Sequence, residues 1–437
     1  MMRGICQSWP KVILNVTQTQ KFPQENGLHM TTKKQRSPLV IAFFTIFLDL
    51  LGFGIVIPVN SFYVQSLGAS PMVIAWLSAS YSLMQFLFAP FWGRLSDRIG
   101  RRPVILISVA ASCVGHLLFG LSATLPMIFG ARILAGFGNA NLGTAQAIIS
   151  DVTTPENRAK GMGMIGAAFG LGFLLGPAIG GFAGQYSPQA PALVAAALAG
   201  VNFLLAYFLL EETRVEGSQN PHARAFSLAT LSRALKLPNI GTILKISFIN
   251  TGAFAMFEVV IGLLMERSFL PLEGRESHEH IAQAARLTAW FLVAVGITAV
   301  IIQGGLIGRL TKKFGEKTLF QTGLLLMFIS ITSIPLFAQT GVYGTMILVA
   351  VVLAMGTGTL NPSQSSLVSR SAPRDQQGGI LGLNQSMGAL GRVAGPAVSG
   401  VLFEMNNGLP FYVAGLAILC AFGMSFGLKR PEEIAPS

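Results

Sequence analysis

Apolar runs long enough to cross a bilayer recur from residue 38 to residue 428, separated by short polar connections. A hydrocarbon core of about 30 Å takes roughly 20 helical residues, and backbone groups inside it must be satisfied within the helix itself. Twelve runs of this kind are read, near 38–59, 71–93, 103–123, 124–149, 161–184, 190–210, 240–265, 286–307, 318–338, 342–368, 379–404 and 409–428. With 52% hydrophobic and 11% charged residues, the chain is not a set of soluble domains. The expected fold class is an all-α membrane protein of twelve transmembrane helices, with the lipid bilayer as its solvent.

The net charge of +12 does not point to nucleic acid, because the basic residues fall in connections rather than on one solvated face. Arg94, Arg98, Arg101 and Arg102, then Arg158 and Lys160, then Arg214, Arg224, Arg233 and Lys236, then Arg309, Lys312, Lys313 and Lys317, then Arg370 and Arg374 occupy alternate connections. The opposite connections hold Arg267, Arg275 and Arg286, offset by Glu266, Glu273, Glu276 and Glu279. The positive-inside rule then puts both termini and the central loop in the cytoplasm. Residues 1–37 are expected to be a disordered extension; Met30, before Thr31-Thr32-Lys33-Lys34, resembles a natural start, which leaves 1–29 open as native chain or as an upstream-start artefact.

Two motifs recur at nearly one offset. Gly93-Arg94-Leu95-Ser96-Asp97-Arg98-Ile99-Gly100 returns 215 residues later as Gly308-Arg309-Leu310-Thr311-Lys312-Lys313-Phe314-Gly315. Gly172, Gly176-Pro177 and Gly180-Gly181 return 219 residues later as Gly391, Gly395-Pro396 and Ser399-Gly400. Each repeat holds an even number of spans, so the halves are related by an axis along the membrane normal, with the substrate path between them. The domains expected are a first six-helix bundle over 38–210, a cytoplasmic linker over 211–239, a second six-helix bundle over 240–428 and a tail over 429–437. The two bundles are pseudo-symmetric.

The stretch from Gly93 through Arg101 and Arg102 resembles the signature that the major facilitator superfamily carries between helices 2 and 3, and the resemblance extends from Pro38 to Arg430. Two glycines, Gly93 and Gly100, would permit a tight turn, and Asp97 among Arg94, Arg98, Arg101 and Arg102 can form charge-assisted bonds that hold one packing of the halves. The alternative is a plain positive-inside loop. Lys312 stands where the repeat would place Asp97, so a latch of this kind is expected in the first half only.

Gly163, Gly172, Gly176, Pro177, Gly180 and Gly181 form a helix 5 pattern that looks like the drug/proton antiporter signature of that superfamily. Small residues let helices approach closely and the proline removes a backbone donor; ordinary glycine-mediated packing explains the spacing equally. The resemblance, not the spacing, implies efflux.

Asp49 lies about 11 residues into helix 1, roughly 16 Å deep, and Arg132 roughly 12 Å from the opposite face. These depths would let both share one cavity. A carboxylate alternating between an apolar wall and a guanidinium takes up and gives back a proton. A static ion pair between helices 1 and 4 is the competing reading. The helix 1 pattern around Asp49, Arg132-Ile133-Leu134-Ala135-Gly136 and the helix 5 pattern together look most like the tetracycline resistance and multidrug proton antiporters. That resemblance implies proton coupling for Asp49 and Arg132 and conformational locking for Asp97. Members that export the metal chelate of tetracycline use an acid in helix 9 and a histidine in helix 8; the runs 318–338 and 286–307 contain neither.

Candidates for the substrate cavity are Gln85, Asn139, Asn141, Gln146, Asn250, Glu258, Asn361, Gln364, Asn384 and Arg392, any of which can instead bridge helices. Glu258 suits a cationic drug, a second proton or water near the outer mouth. Arg392, between Gly391 and Gly395, suits an anionic substrate group or the carbonyls of another helix. Lys245 is expected to snorkel. Thirty-one Phe and 16 Met would suit a broad apolar cargo, or simply face lipid.

Cys6, Cys113 and Cys420 have no metal spacing, and no phosphate loop or nucleophile–base pair is found, so neither an enzyme nor a cofactor is expected. The sequence reading is a proton-coupled exporter of amphipathic small molecules in a bacterial inner membrane, working as a monomer with a small-molecule substrate and protons as partners. An importer of a small organic solute and a non-transporting receptor are the alternatives.

Overall fold

The computed structural model describes residues 38–153, 168, 171–172, 175–214, 228–271, 278–372 and 377–429. Among these every regular element is helical. The first half contains α1 (Pro38–Gln65), α2 (Pro71–Ile99), α3 (Arg101–Gly120), α4 (Leu125–Gly138), α5 (Leu142–Val152), helical residues 175–183 as α6, and α7 (Ala190–Leu209). The second half contains α8 (Leu228–Lys236), α9 (Ile240–Phe269), α10 (His278–Ile301), α11 (Ile307–Phe314), α12 (Glu316–Ala338), α13 (Tyr343–Ser371), α14 (Gln377–Met405) and α15 (Leu409–Ser425).

Among the described residues, eight helices are long and apolar enough to span a membrane. The four other expected spans coincide with α4 and α5 together, with α6, with α14 and with the shorter apolar helix α15. The helix starts carry recognisable chemistry: Ser70 caps α2 by accepting the Val73 N–H, and Pro71 follows in the first turn, where no amide is needed.

Several boundaries differ from the sequence reading. Gly93 does not turn: α2 runs through it to Ile99, and the reversal falls on Gly100 alone, at φ +108°. The repeat behaves identically, with Gly308 helical and Gly315 at φ +77°. A turn needs only one left-handed residue, and the polar residues between the glycines remain helical beyond the apolar span. The same lengthening puts His278 and His280 at the start of α10 and Glu316 at the start of α12, correcting the expectation that helix 8 lacks histidine and helix 9 an acid. A short helix, α8, occupies part of the expected linker and buries Leu231 and Ala234. Two interruptions also went unforeseen: a 3-10 turn over Asn139–Asn141 within the fourth span and a π-helical turn over Ile302–Leu306 between α10 and α11.

Within the first half, α3 packs on α4 and α7, and α1 on α7; within the second, α9 packs on α14 and α15, and α12 on α13 and α15. Across the halves α2 lies along α14. Hydrogen bonds between the halves sit at the end remote from the Gly93–Arg102 motif: Ser61 Oγ to the Val259 carbonyl, Gln65 Nε2 to Glu266 Oε1, the Met72 N–H to Glu404 Oε1, and Arg286 Nη2 to Gln185 Oε1. Some glycines also meet the opposite half. At the remote end a Cβ on Gly400 would strike Ala75 and Met72, and one on Gly262 would lie 3.1 Å from the Phe62 ring. At the motif end, a Cβ on Gly93, Gly308 or Gly382 would meet nothing within 4 Å, as is also true of Gly130 and Gly344 toward the other end. Among the described residues the halves are hydrogen-bonded to each other at the end remote from the motif.

Candidate transport site

Asp49 lies on α1, where α1, α5 and α7 converge. Asn202 Nδ2 donates to its Oδ1 at 2.9 Å and to the Thr45 carbonyl at 3.1 Å, while Asn141 Nδ2 donates to its Oδ2 at 3.0 Å and to Ser108 Oγ at 2.9 Å. No ion pair joins Asp49 to Arg132; the carboxylate is held by neutral amides alone among its described hydrogen bonds. Asn202 is the partner that sequence reasoning missed. Its signal was present, because the run Ala190–Leu209 is otherwise apolar apart from Tyr207.

Arg132 is buried at 5% exposure and faces elsewhere. Its guanidinium lies over the Tyr81 ring at 5.3 Å and the Phe119 ring at 5.1 Å, while Nε and Nη1 have no hydrogen-bond partner. The expected shared cavity of Asp49 and Arg132 is therefore not formed in this conformation: Arg132 lines a cavity between the halves and Asp49 does not. Phe53, Tyr81 and Arg132 line it from one half, and Glu258, Arg392 and Pro396 from the other. Glu258 Oε1 has no hydrogen-bond partner.

The remaining candidates divide by location. Gln85 Nε2 bonds the Tyr81 hydroxyl and the Asn139 carbonyl, both at 3.3 Å, and Asn139 Nδ2 bonds Ser112 Oγ at 2.9 Å, so both bridge helices. Gln364 Nε2 donates to Asn384 Oδ1 at 3.1 Å, joining α13 to α14. Asn250 is buried with Oδ1 unpartnered, Gln146 is half-buried and Asn361 is exposed. Lys245 is exposed on α9, as snorkelling requires.

The helix 5 glycines meet α1 backbone to backbone. A Cβ on Gly172 would stand 3.0 Å from Leu50, one on Gly176 2.6 Å from the Gly54 carbonyl carbon, and one on Gly180 would overlap the Ile55 carbonyl. Pro177 is buried beside them, and Gly181 faces Ala289 of α10. Gly163 lies outside the described residues. The repeat packs in the same way, since a Cβ on Gly391 would lie 2.6 Å from the Phe248 carbonyl and one on Gly395 would overlap the Gly252 carbonyl. Helix 5 therefore touches α1 beginning one residue beyond Asp49.

At the motif end, Arg101 bonds Asp97 at 2.5 Å and Asp151 at 3.2 Å, both in the same half. Arg94, Arg98 and Asp97 are exposed. Arg102 donates to the Tyr207 carbonyl at 2.7 Å. Glu212, beyond α7, accepts the N–H groups of Arg101 (2.8 Å) and Arg102 (3.1 Å), capping the start of α3. Burial pushes the Glu212 carboxyl up, but backbone N–H groups of Arg214, Arg101, Arg102 and Thr213 outweigh this and hold it below the usual carboxylate range. In the second half, Arg370 bonds Glu316 at 2.7 Å. By the repeat offsets Glu316 stands where Arg101 does and Arg370 where Asp151 does, so the ion pair recurs with its signs exchanged. Lys312 for Asp97 belongs to the same inversion.

Comparison with known proteins agrees with this architecture. The sequence model of the Major Facilitator Superfamily matches residues 42–304 and 278–437. The chain is 30% identical over 388 residues to the class B tetracycline resistance protein of Escherichia coli, covering 87% of this chain and 92% of that protein. It is 28% identical over 412 residues to multidrug resistance protein 2 of Bacillus subtilis (strain 168), covering 92% and 98%. Among solved structures, the human organic anion transporter MFSD10 is similar with a TM-score of 0.67 and 23% identity, covering 90% of this chain and 99% of that one. The nucleoside transporter NupG gives a TM-score of 0.69 at 16% identity, covering 90% and 100%. The chain is an integral membrane transporter belonging to the major facilitator superfamily.

Proposed function

We propose that this transporter exports amphipathic small molecules in exchange for protons, with the motif end and both termini in the cytoplasm of a bacterial inner membrane. The observation that carries the reading is the setting of Asp49: a mid-span carboxylate whose hydrogen-bond partners are the neutral amides of Asn141 and Asn202. An ionised acid at this depth costs at least ~2.5 kcal/mol, and neutral partners let it change charge without breaking an ion pair. Export is supported by relatives named for tetracycline and multidrug resistance.

In this orientation the hydrogen bonds joining the halves lie on the outer side, which supports an inward-facing conformation. The bundles 38–210 and 240–428 rock about the central cavity, and the linker 211–239 keeps them in one chain. The glycine contact between α6 and α1 carries a change at Asp49 into that motion. Asp97, exposed here, belongs to the outward-facing state, in which the motif ends meet and its charge finds a partner across the interface.

A susceptibility panel in an efflux-deficient bacterial host tests the reading. Cells expressing the wild type are expected to tolerate several amphipathic antibiotics, and cells expressing Asp49→Asn at equal membrane levels are expected to be as sensitive as the host. Accumulation of the compounds above the level in the host would instead assign import.

A further inference from the structure

The central cavity holds more charge than proton exchange at Asp49 requires, and part of it lacks hydrogen-bond partners. Arg132 approaches from the first half and Arg392 from the second, with Glu258 beside them. Nε and Nη1 of Arg132 and Oε1 of Glu258 lack hydrogen-bond partners, and no ion pair within 4 Å joins Glu258 to either arginine. Buried charge is stable only when paired or solvated, so three unpartnered atoms on Arg132 and Glu258, facing one cavity with Arg392, describe the complement of a guest.

Arg392 is held in place by its neighbours. Gly391 and Gly395 press α14 onto the α9 backbone, fixing the rotation of the helix, and the Arg392 Nη1 lies 3.9 Å from where a Gly388 Cβ would stand. Arg132 is fixed by two aromatic rings. Beside the charged groups the lining is mixed: Phe53 and Tyr81, stacked at 5.4 Å, and small apolar residues share it with Ser61, Ser78 and Ser82.

We infer that the cargo is an amphipathic organic anion, its acidic group bridging Arg132 and Arg392 across the two halves and its ring system lying against Phe53 and Tyr81. The inference deepens the exporter reading and rests on it for the direction of movement. Two guanidiniums and one carboxylate leave the cavity one positive charge in excess, matching a monoanion. An acid group that bridges both halves also couples occupancy to their approach. The cycle balances simply: one proton enters while one anion leaves, so two charges cross the membrane per turnover. Each such charge changes the attainable gradient by about 50-fold per 100 mV, in the direction favoured by an interior-negative potential.

The test uses the full-length protein in detergent with two xanthene dyes that share a ring scaffold, fluorescein at a pH below the ionisation of its phenol, where it is a monoanion, and cationic rhodamine 123, followed by the same dyes in proteoliposomes. Wild type is expected to bind fluorescein the more tightly. Arg392→Met is expected to weaken fluorescein by ~10-fold or more and to tighten rhodamine 123. Glu258→Gln removes the competing carboxylate and is expected to tighten fluorescein, a gain that misfolding cannot mimic. A wild-type preference for rhodamine 123, an unchanged fluorescein affinity in Arg392→Met, or a loss in Glu258→Gln overturns the inference. Proton-driven export of rhodamine 123 without any charge preference removes the anion and leaves the exporter standing. The stated charge preference without proton-driven movement does the reverse.

Discussion

Replacing Gly176 by alanine adds one methyl group where α6 meets α1. That methyl would stand 2.6 Å from the Gly54 carbonyl carbon, 2.7 Å from its Cα and 2.9 Å from the Ile55 nitrogen. Ordinary contact begins at 3.4 Å, so the two backbones must part by about 0.8 Å (3.4 − 2.6), and no flexible side chain can yield instead. Overpacking of this kind costs about 1–3 kcal/mol. An equilibrium that needs the contact then moves by roughly 5- to 150-fold. Gly143→Ala on α5 is the matched control, because its methyl would meet nothing within 4 Å. Thermal melting in detergent and dye efflux from cells, at equal membrane expression, read the two variants. Gly176→Ala is expected to melt lower and to lose most of its efflux, and Gly143→Ala to match the wild type. A Gly176→Ala protein that melts and exports as the wild type does refutes the argument that this contact couples α1 to helix 5.

Three further outcomes follow from other contacts. Asn202→Leu removes the hydrogen bonds to Asp49 and to the Thr45 carbonyl and is expected to destabilise the fold by about 1.5–3 kcal/mol in chemical or thermal unfolding; an unchanged melting curve would mean the amide does not hold the acid. Glu212 has a depressed carboxyl, so its stabilisation is full above the ordinary value near 4.3 and is lost as pH falls through the lower folded value. The melting difference between wild type and Glu212→Gln should therefore be largest at pH 5 or above and shrink below about pH 4; a difference that grows on acidification contradicts this. Asp151→Arg breaks the pair with Arg101, whereas Asp97→Lys, Arg101→Glu and Asp151→Arg together install the sign order of Lys312, Glu316 and Arg370. The triple variant is expected to regain stability but not transport; recovery of transport would show that the charge of Asp97 is not needed for the latch.

Position along each helix was legible in the sequence and azimuth was not. Counting residues from a membrane face placed Asp49 and Arg132 at similar heights, but rotation about each helix turns Asp49 toward Asn141 and Asn202 and Arg132 toward Tyr81 and Phe119. Only packing sets that rotation. Gly93 and Gly100 look equivalent as letters, yet only Gly100 has a positive φ, and its missing Cβ leaves room for the Glu212 carboxylate. Glu212 itself is 111 residues from Arg101, beyond the reach of any local pattern. The glycine motifs carried further, since close approach is what their spacing encodes, and the structure displays that approach at Gly176 and again at Gly395. The exchange of signs between Arg101–Asp151 and Glu316–Arg370 could have been read from the offsets, once the repeat was extended beyond its glycines.

Gradient-driven movement in proteoliposomes tests the central claim most directly. With the face opposite the motif made acidic, the wild type is expected to drive dye toward the acidic side while protons move the other way, and Asp49→Asn to keep dye exchange at equilibrium but lose the response to the gradient. Full gradient-driven transport by Asp49→Asn would contradict proton coupling through this residue.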